Sequence, residues 1–115
     1  MKEMNGKIQY KDKEYALVFN LNVMQMIQQR YHSIEEWGAL TDGSNGEVDI
    51  QALIFGFTEM LNEGIEIENE ENGTKEPKLT DKQVGRIITE VGLAKAAKKL
   101  RKTVTDSAGS EEKNG

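Results

Sequence analysis

From Asp49 onward, Ile50, Leu53, Ile54, Phe57, Met60 and Leu61 recur at the i, i+3, i+4, i+7 spacing that lines one face of an α-helix. An apolar stripe of this length needs a surface to bury against, so the remaining elements are expected to pack around a central helix capped by Asp49. Gly56 lies inside that helix and permits close approach of a neighbour, and Gly64 is read as its end. A chain of 115 residues has room for one modest core. We expect a single domain over residues 1–106 and a disordered polar tail over 107–115. The expected fold is mainly α, a short N-terminal β-hairpin followed by a small bundle of about four to five helices.

Ahead of the central stripe, Ile8 and Tyr10, then Tyr15, Leu17 and Phe19, alternate with polar neighbours, which reads as a hairpin over about residues 7–19. A four-residue loop Lys11-Asp12-Lys13-Glu14 would set Tyr10 opposite Tyr15 and Ile8 opposite Leu17. Asn20 or Asn22 is placed to cap a helix running to about Tyr31, with Met24, Ile27 and Tyr31 on one face. Ser33-Ile34-Glu35-Glu36 has the capping-box form and starts a short helix that turns Trp37 inward. Residues 41–47, rich in glycine and small polar side chains, read as a loop.

Beyond Gly64 the chain is rich in glutamate, and Asn72-Gly73 and Pro77 are breakers, so 65–78 reads as a solvated linker anchored at Ile65 and Ile67. Thr80-Asp81-Lys82-Gln83 is a second capping box, and Val84, Ile87, Ile88 and Val91 follow as an apolar stripe ending near Gly92. Leu93, Ala96, Ala97, Leu100 and Val104 form a last apolar face.

Little in the chain points to catalysis. There is no cysteine, which removes thiol chemistry, disulfides and thiolate metal sites, and the single histidine, His32, falls at an expected helix end where it complements the dipole. Asp42 to Glu47 resembles a calcium loop only superficially, since the twelfth position is Leu53 where a bidentate carboxylate is required. No glycine-rich phosphate loop occurs. We expect no enzyme, no cofactor and no metal. The start of the chain lacks the apolar run of a signal peptide and no stretch reaches a membrane span, so a cytoplasmic location without membrane association is expected.

Two charge features stand out within a formal net charge of -5. Glu59, Glu63, Glu66, Glu68, Glu70, Glu71 and Glu76 form an acidic stretch, and Lys95, Lys98, Lys99, Arg101 and Lys102 a basic one opposite the last apolar face. The basic helix has three readings: a solvated helix suited to its own dipole, a surface for nucleic acid or anionic membrane, and a surface for an acidic protein. No aromatic residue lies beyond Phe57, which makes nucleic acid the weaker expectation.

Lys13-Glu14-Tyr15-Ala16-Leu17-Val18-Phe19-Asn20-Leu21-Asn22, the run Arg30 to Trp37, the run Ala52 to Gly64 and the run Leu79 to Gly92 together resemble tail assembly chaperones of long-tailed phages and prophages of Gram-positive hosts. The resemblance covers most of the chain and implies a protein, absent from the finished virion, that binds the tape-measure protein and keeps it soluble during tail assembly. It also implies self-association and a frameshifted longer form as a second partner. Glu112-Lys113-Asn114 is compatible with an adenine-rich slippery codon run.

On that basis Phe55, off the central stripe, and the small residues Ala96 and Ala97 are candidate client contacts. Self-association through Glu66, Glu68, Glu70 and Glu71 of one copy against Lys95, Lys98, Lys99 and Lys102 of the next would give an open helical array. The alternative is a small regulatory or nucleic-acid-binding factor that uses the basic helix.

Overall fold

The computed structural model describes residues 6–43 and 46–114, with side chains through residue 107. The chain is mainly helical: a two-stranded antiparallel hairpin, β1 (Gly6–Tyr10) and β2 (Lys13–Leu17), precedes five helices. These are α1 (Leu21–Tyr31), α2 (Ile34–Thr41), α3 (Ile50–Asn72), α4 (Asp81–Val91) and α5 (Leu93–Asn114).

The hairpin register differs from the expected one by two residues. Ile8 faces Tyr15, Tyr10 faces Lys13 and Gly6 faces Leu17, so the connection is the two-residue turn Lys11-Asp12, with Lys11 at φ 56°. A shift of two keeps every side chain on its face, so the alternation is satisfied by either register, and the tighter turn gains the Tyr10–Lys13 rung. Ile8 and Leu17 are fully buried, and the chain beyond β2 is tied to α3 by the Val18 amide, which donates to the Met60 carbonyl at 3.3 Å.

The caps follow the sequence closely. Asn20 caps α1 by accepting from Val23 N–H, Asp49 caps α3 by accepting from Ala52 N–H, and Thr80 with Gln83 makes both halves of a capping box on α4. At α2 the Ser33 hydroxyl accepts from Glu36 N–H, while the Glu36 carboxylate sits 3.7 Å from Nδ1 of His32. His32 holds φ 81° between α1 and α2, an uncommon conformation for a residue with a Cβ.

Two boundaries need correction. Gly64 does not end α3; the helix runs on through the glutamate-rich stretch to Asn72 and stops at Gly73, whose left-handed φ of 67° suits a residue without Cβ. Gly64 is instead a point of close approach, where an added Cβ would lie 2.8 Å from the Ala16 carbonyl oxygen of β2. Likewise α5 extends to Asn114 through the residues expected as a disordered tail, and Ser107 is buried with its hydroxyl donating to the Thr103 carbonyl.

The core joins Ile8, Leu17 and Phe19 to α1 (Val23, Ile27), α3 (Leu53, Phe57, Met60, Leu61), α4 (Val84, Ile87) and α5 (Ala96, Leu100). Trp37 of α2 is 1% exposed, stacks on Phe19 at 6.3 Å and donates from Nε1 to the Ala52 carbonyl at 3.0 Å. Its ring fills the space that Gly56 leaves open on α3. No helix among the described residues is long and apolar enough to cross a membrane.

Candidate functional site

The N-terminal half of α3, α4 and the start of α5 line an open groove of about 430 Å³. Ile50 and Ile54, one turn apart on α3, line one wall; Gly85 and Thr89 of α4 and Leu93 at the start of α5 line the other. Most apolar side chains of the stripe turn into the core, but Ile50 remains 48% exposed and Leu93 44% exposed, both in contact with this groove. Gly85 presents bare backbone to the groove, and a Cβ there would meet only Ile54 Cδ1, at 3.8 Å. Lys82 and Arg86, both exposed and one helical turn apart on α4, form the rim, and neither makes an ion pair with a described residue.

A second cleft, of about 300 Å³, lies where α1 meets the middle of α3 and has the opposite character. Glu59, Glu63 and Glu66 line it with Asn22, Asn62 and Lys78. Glu63 accepts from the side-chain amides of Asn20 and Asn22, at 2.9 and 3.0 Å, which places a carboxylate at the positive end of α1. Lys78 reaches Glu66 at 2.6 Å. Burial pushes the Glu59 carboxyl above its ordinary value, Lys78 works against that rise, and Asp81, Glu63 and Glu66 add to it. The hydrogen bond to Glu66 holds the Lys78 ammonium above its ordinary value, supported by the charge of the same carboxylate. No cluster of metal-ligating side chains occurs among the described residues.

Beside this cleft the connection from Gly73 to Thr80 is strapped along α3. Asn62 donates to the Leu79 carbonyl at 3.0 Å and accepts from the Leu79 amide at 2.7 Å. Asn69 makes the same pair of hydrogen bonds with the Glu76 backbone, at 3.0 Å each way, and also accepts from the Thr74 hydroxyl at 2.8 Å. The two side chains sit two turns apart on α3, a rise of ~10.5 Å, which nearly equals the ~10 Å that an extended chain covers from residue 76 to 79. The glutamate-rich segment expected as a solvated linker is therefore partly helix and partly strap.

The candidate residues read from the sequence fare differently from one another. Phe55 is half-buried: Tyr31 meets it edge-on at 5.7 Å and the Arg30 guanidinium lies 4.9 Å above its ring, so it serves as a satellite of the core and not as a free anchor. Ala96 is fully buried and Ala97 is 6% exposed, because their small size lets α5 sit close on the core; neither is available to a client. Glu66, Glu68, Glu70 and Glu71 are exposed along the end of α3, but Glu66 is already paired with Lys78. On α5, Lys95 and Lys98 are exposed, Lys99 is half-buried and Lys102 pairs with Asp106 at 3.1 Å. Arg101 is turned back toward the Asp42 carbonyl at the end of α2.

The groove residues were not singled out from the sequence. Ile50 and Leu93 sit at the margins of their stripes, where a helical pattern alone cannot tell core from rim. The repeat of Lys82 and Arg86 at i, i+4 beside Gly85 was the one available signal. No family model, no curated protein and no solved structure matches the chain.

Proposed function

We propose that this chain is a tail assembly chaperone of a long-tailed phage or prophage, which binds the tape-measure protein and keeps it soluble while the tail is built. The observation that carries the reading is the resemblance of four sequence blocks, which fall on β2 and the entry to α1, on the α1–α2 junction, on the first two-thirds of α3 and on α4. The groove on α3 and α4 supports it, because a long helical client is held by shallow apolar surfaces on many small copies. A binding role of this kind needs no catalytic constellation.

Action in the host cytoplasm, self-association and a longer frameshifted partner belong to the same proposal. Glu68, Glu70 and Glu71 on α3 and Lys95 and Lys98 on α5 are exposed, so a head-to-tail contact between copies has charges to draw on. Such contacts are screened as salt rises, and an assembly whose size is unchanged between low and high salt would remove that part of the proposal.

The test is co-expression with a long helical tape-measure protein, followed by pull-down and sizing. A soluble complex with several copies of this chain per client is the expected result. A client that is equally soluble alone and does not co-purify rejects the reading and brings forward the basic α5 helix as a nucleic-acid surface, to be tested by titration with duplex DNA.

A further inference from the structure

We infer that the groove between α3 and α4 is a docking site for an amphipathic helix of another protein, one whose apolar stripe is flanked by carboxylates a helical turn apart. Three features of the groove select that occupant. Ile50, Ile54 and Leu93 offer apolar contact in an open groove into which Gly85 projects no side chain, which suits the side chains of a helix laid lengthwise and not a small enclosed ligand. Lys82 and Arg86 stand four residues apart along one rim, a rise of ~6 Å, so acidic side chains at i and i+4 on the occupant meet both. The groove lining contains no carboxylate, so nothing in it offsets this positive rim.

A second copy of the chain is the weaker occupant. Its acidic surface, the end of α3, supplies exposed Glu66 and Glu70 at the required spacing, but Glu66 is held by Lys78, Ile65 is buried and Ile67 is half-buried. Little apolar surface remains there to fill the groove. The inference deepens the proposed chaperone role by placing the client contact, and it rests on that reading only for which protein carries the helix.

The experiment uses the full chain and two labelled synthetic helices with the same leucine stripe, one flanked by glutamates at i, i+4 and the other by lysines, with binding read by fluorescence anisotropy. The glutamate-flanked helix should bind and the lysine-flanked helix should bind at least about tenfold more weakly. The K82E/R86E variant should reverse that preference, and I50E/L93E should abolish binding of both helices. These four positions are exposed, and unchanged far-UV circular dichroism together with the buried-Trp37 emission confirms that each variant is folded.

Equal binding of the two helices, or binding untouched by I50E/L93E in folded protein, overturns the inference. So does a concentration-dependent oligomer of the chain that K82E/R86E and I50E/L93E dissolve, which would assign the groove to a second copy. If the glutamate-flanked helix binds as expected but the tape-measure protein does not co-purify, the groove assignment stands and the chaperone reading falls. If the client complex forms with the wild type and survives I50E/L93E undiminished, the reading stands and the groove assignment falls.

Discussion

Gly56→Ala puts a methyl group into the ring of Trp37. An ideal Cβ at position 56 collides with Cζ2 and lies 3.0 Å from Cε2 and 3.1 Å from Nε1 of that side chain, which is 1% exposed and has nowhere to retreat. In an open helix the same change stabilises by up to about 1 kcal/mol through backbone entropy and helix propensity. Against that stand an overpacking cost of about 1–3 kcal/mol and strain on the buried bond from Trp37 Nε1 to the Ala52 carbonyl, of about 1 kcal/mol. The balance is a loss of about 2 kcal/mol, a fall in Tm on the order of 8 °C for a domain of this size.

Gly38→Ala is the internal control. Gly38 is also helical, nothing lies within 4 Å of its added Cβ, and the change should raise stability by about 0.5–1 kcal/mol. Thermal melts by circular dichroism and urea titrations followed by Trp37 emission report both variants. A Gly56→Ala protein as stable as the wild type would show that the ring is not seated in the space above Gly56, and the close packing of α2 on α3 would have to be abandoned.

Three further outcomes follow from the described contacts. Asn62→Ala removes both bonds to Leu79 and should cost about 1–3 kcal/mol, with faster amide exchange at Leu79; unchanged exchange would mean the strap is not held there. Phe55→Ser should lower Tm by several degrees through lost contact with Tyr31 and Arg30, whereas an unchanged melt would return Phe55 to the surface. Glu59 is raised above its ordinary value by burial, so the fold favours its protonated form. That contribution is present below the ordinary carboxylate range and is lost as pH rises through the raised value. The Tm advantage of Glu59→Gln over wild type should therefore grow with pH across that interval, and a pH-independent difference would refute the cause assigned.

What could be read from the sequence was whatever local chemistry decides. Asn20, Asp49 and Thr80 announce their helices because the first turn needs an acceptor, and Trp37 turns inward as the largest apolar group of α2, with Ile34 and Leu40 packed at the edge of the core. The errors arose where two local readings were equally good and distant contacts chose between them. Gly64 and Gly73 are both plausible helix ends; the first is required by the Ala16 carbonyl and only the second by backbone conformation. The hairpin alternation allowed either of two registers. Ala96 and Ala97 are small enough for a partner to pack closely on them, yet small residues are also what a crowded core demands.

The paired clasps at Asn62 and Asn69 bear on how the chain can vary in length. Between Glu76 and Leu79 the strap must keep step with two turns of helix, so inserting or deleting one residue there puts one asparagine out of reach of its partner. The bend from Gly73 to Lys75 is tied to the same asparagine: the Gly73 and Thr74 amides both donate to the Asn69 carbonyl, and the Thr74 hydroxyl donates to the Asn69 side chain at 2.8 Å. An insertion in the bend therefore gives up the Thr74 bonds to Asn69, while the four residues after it behave as a fixed-length spacer.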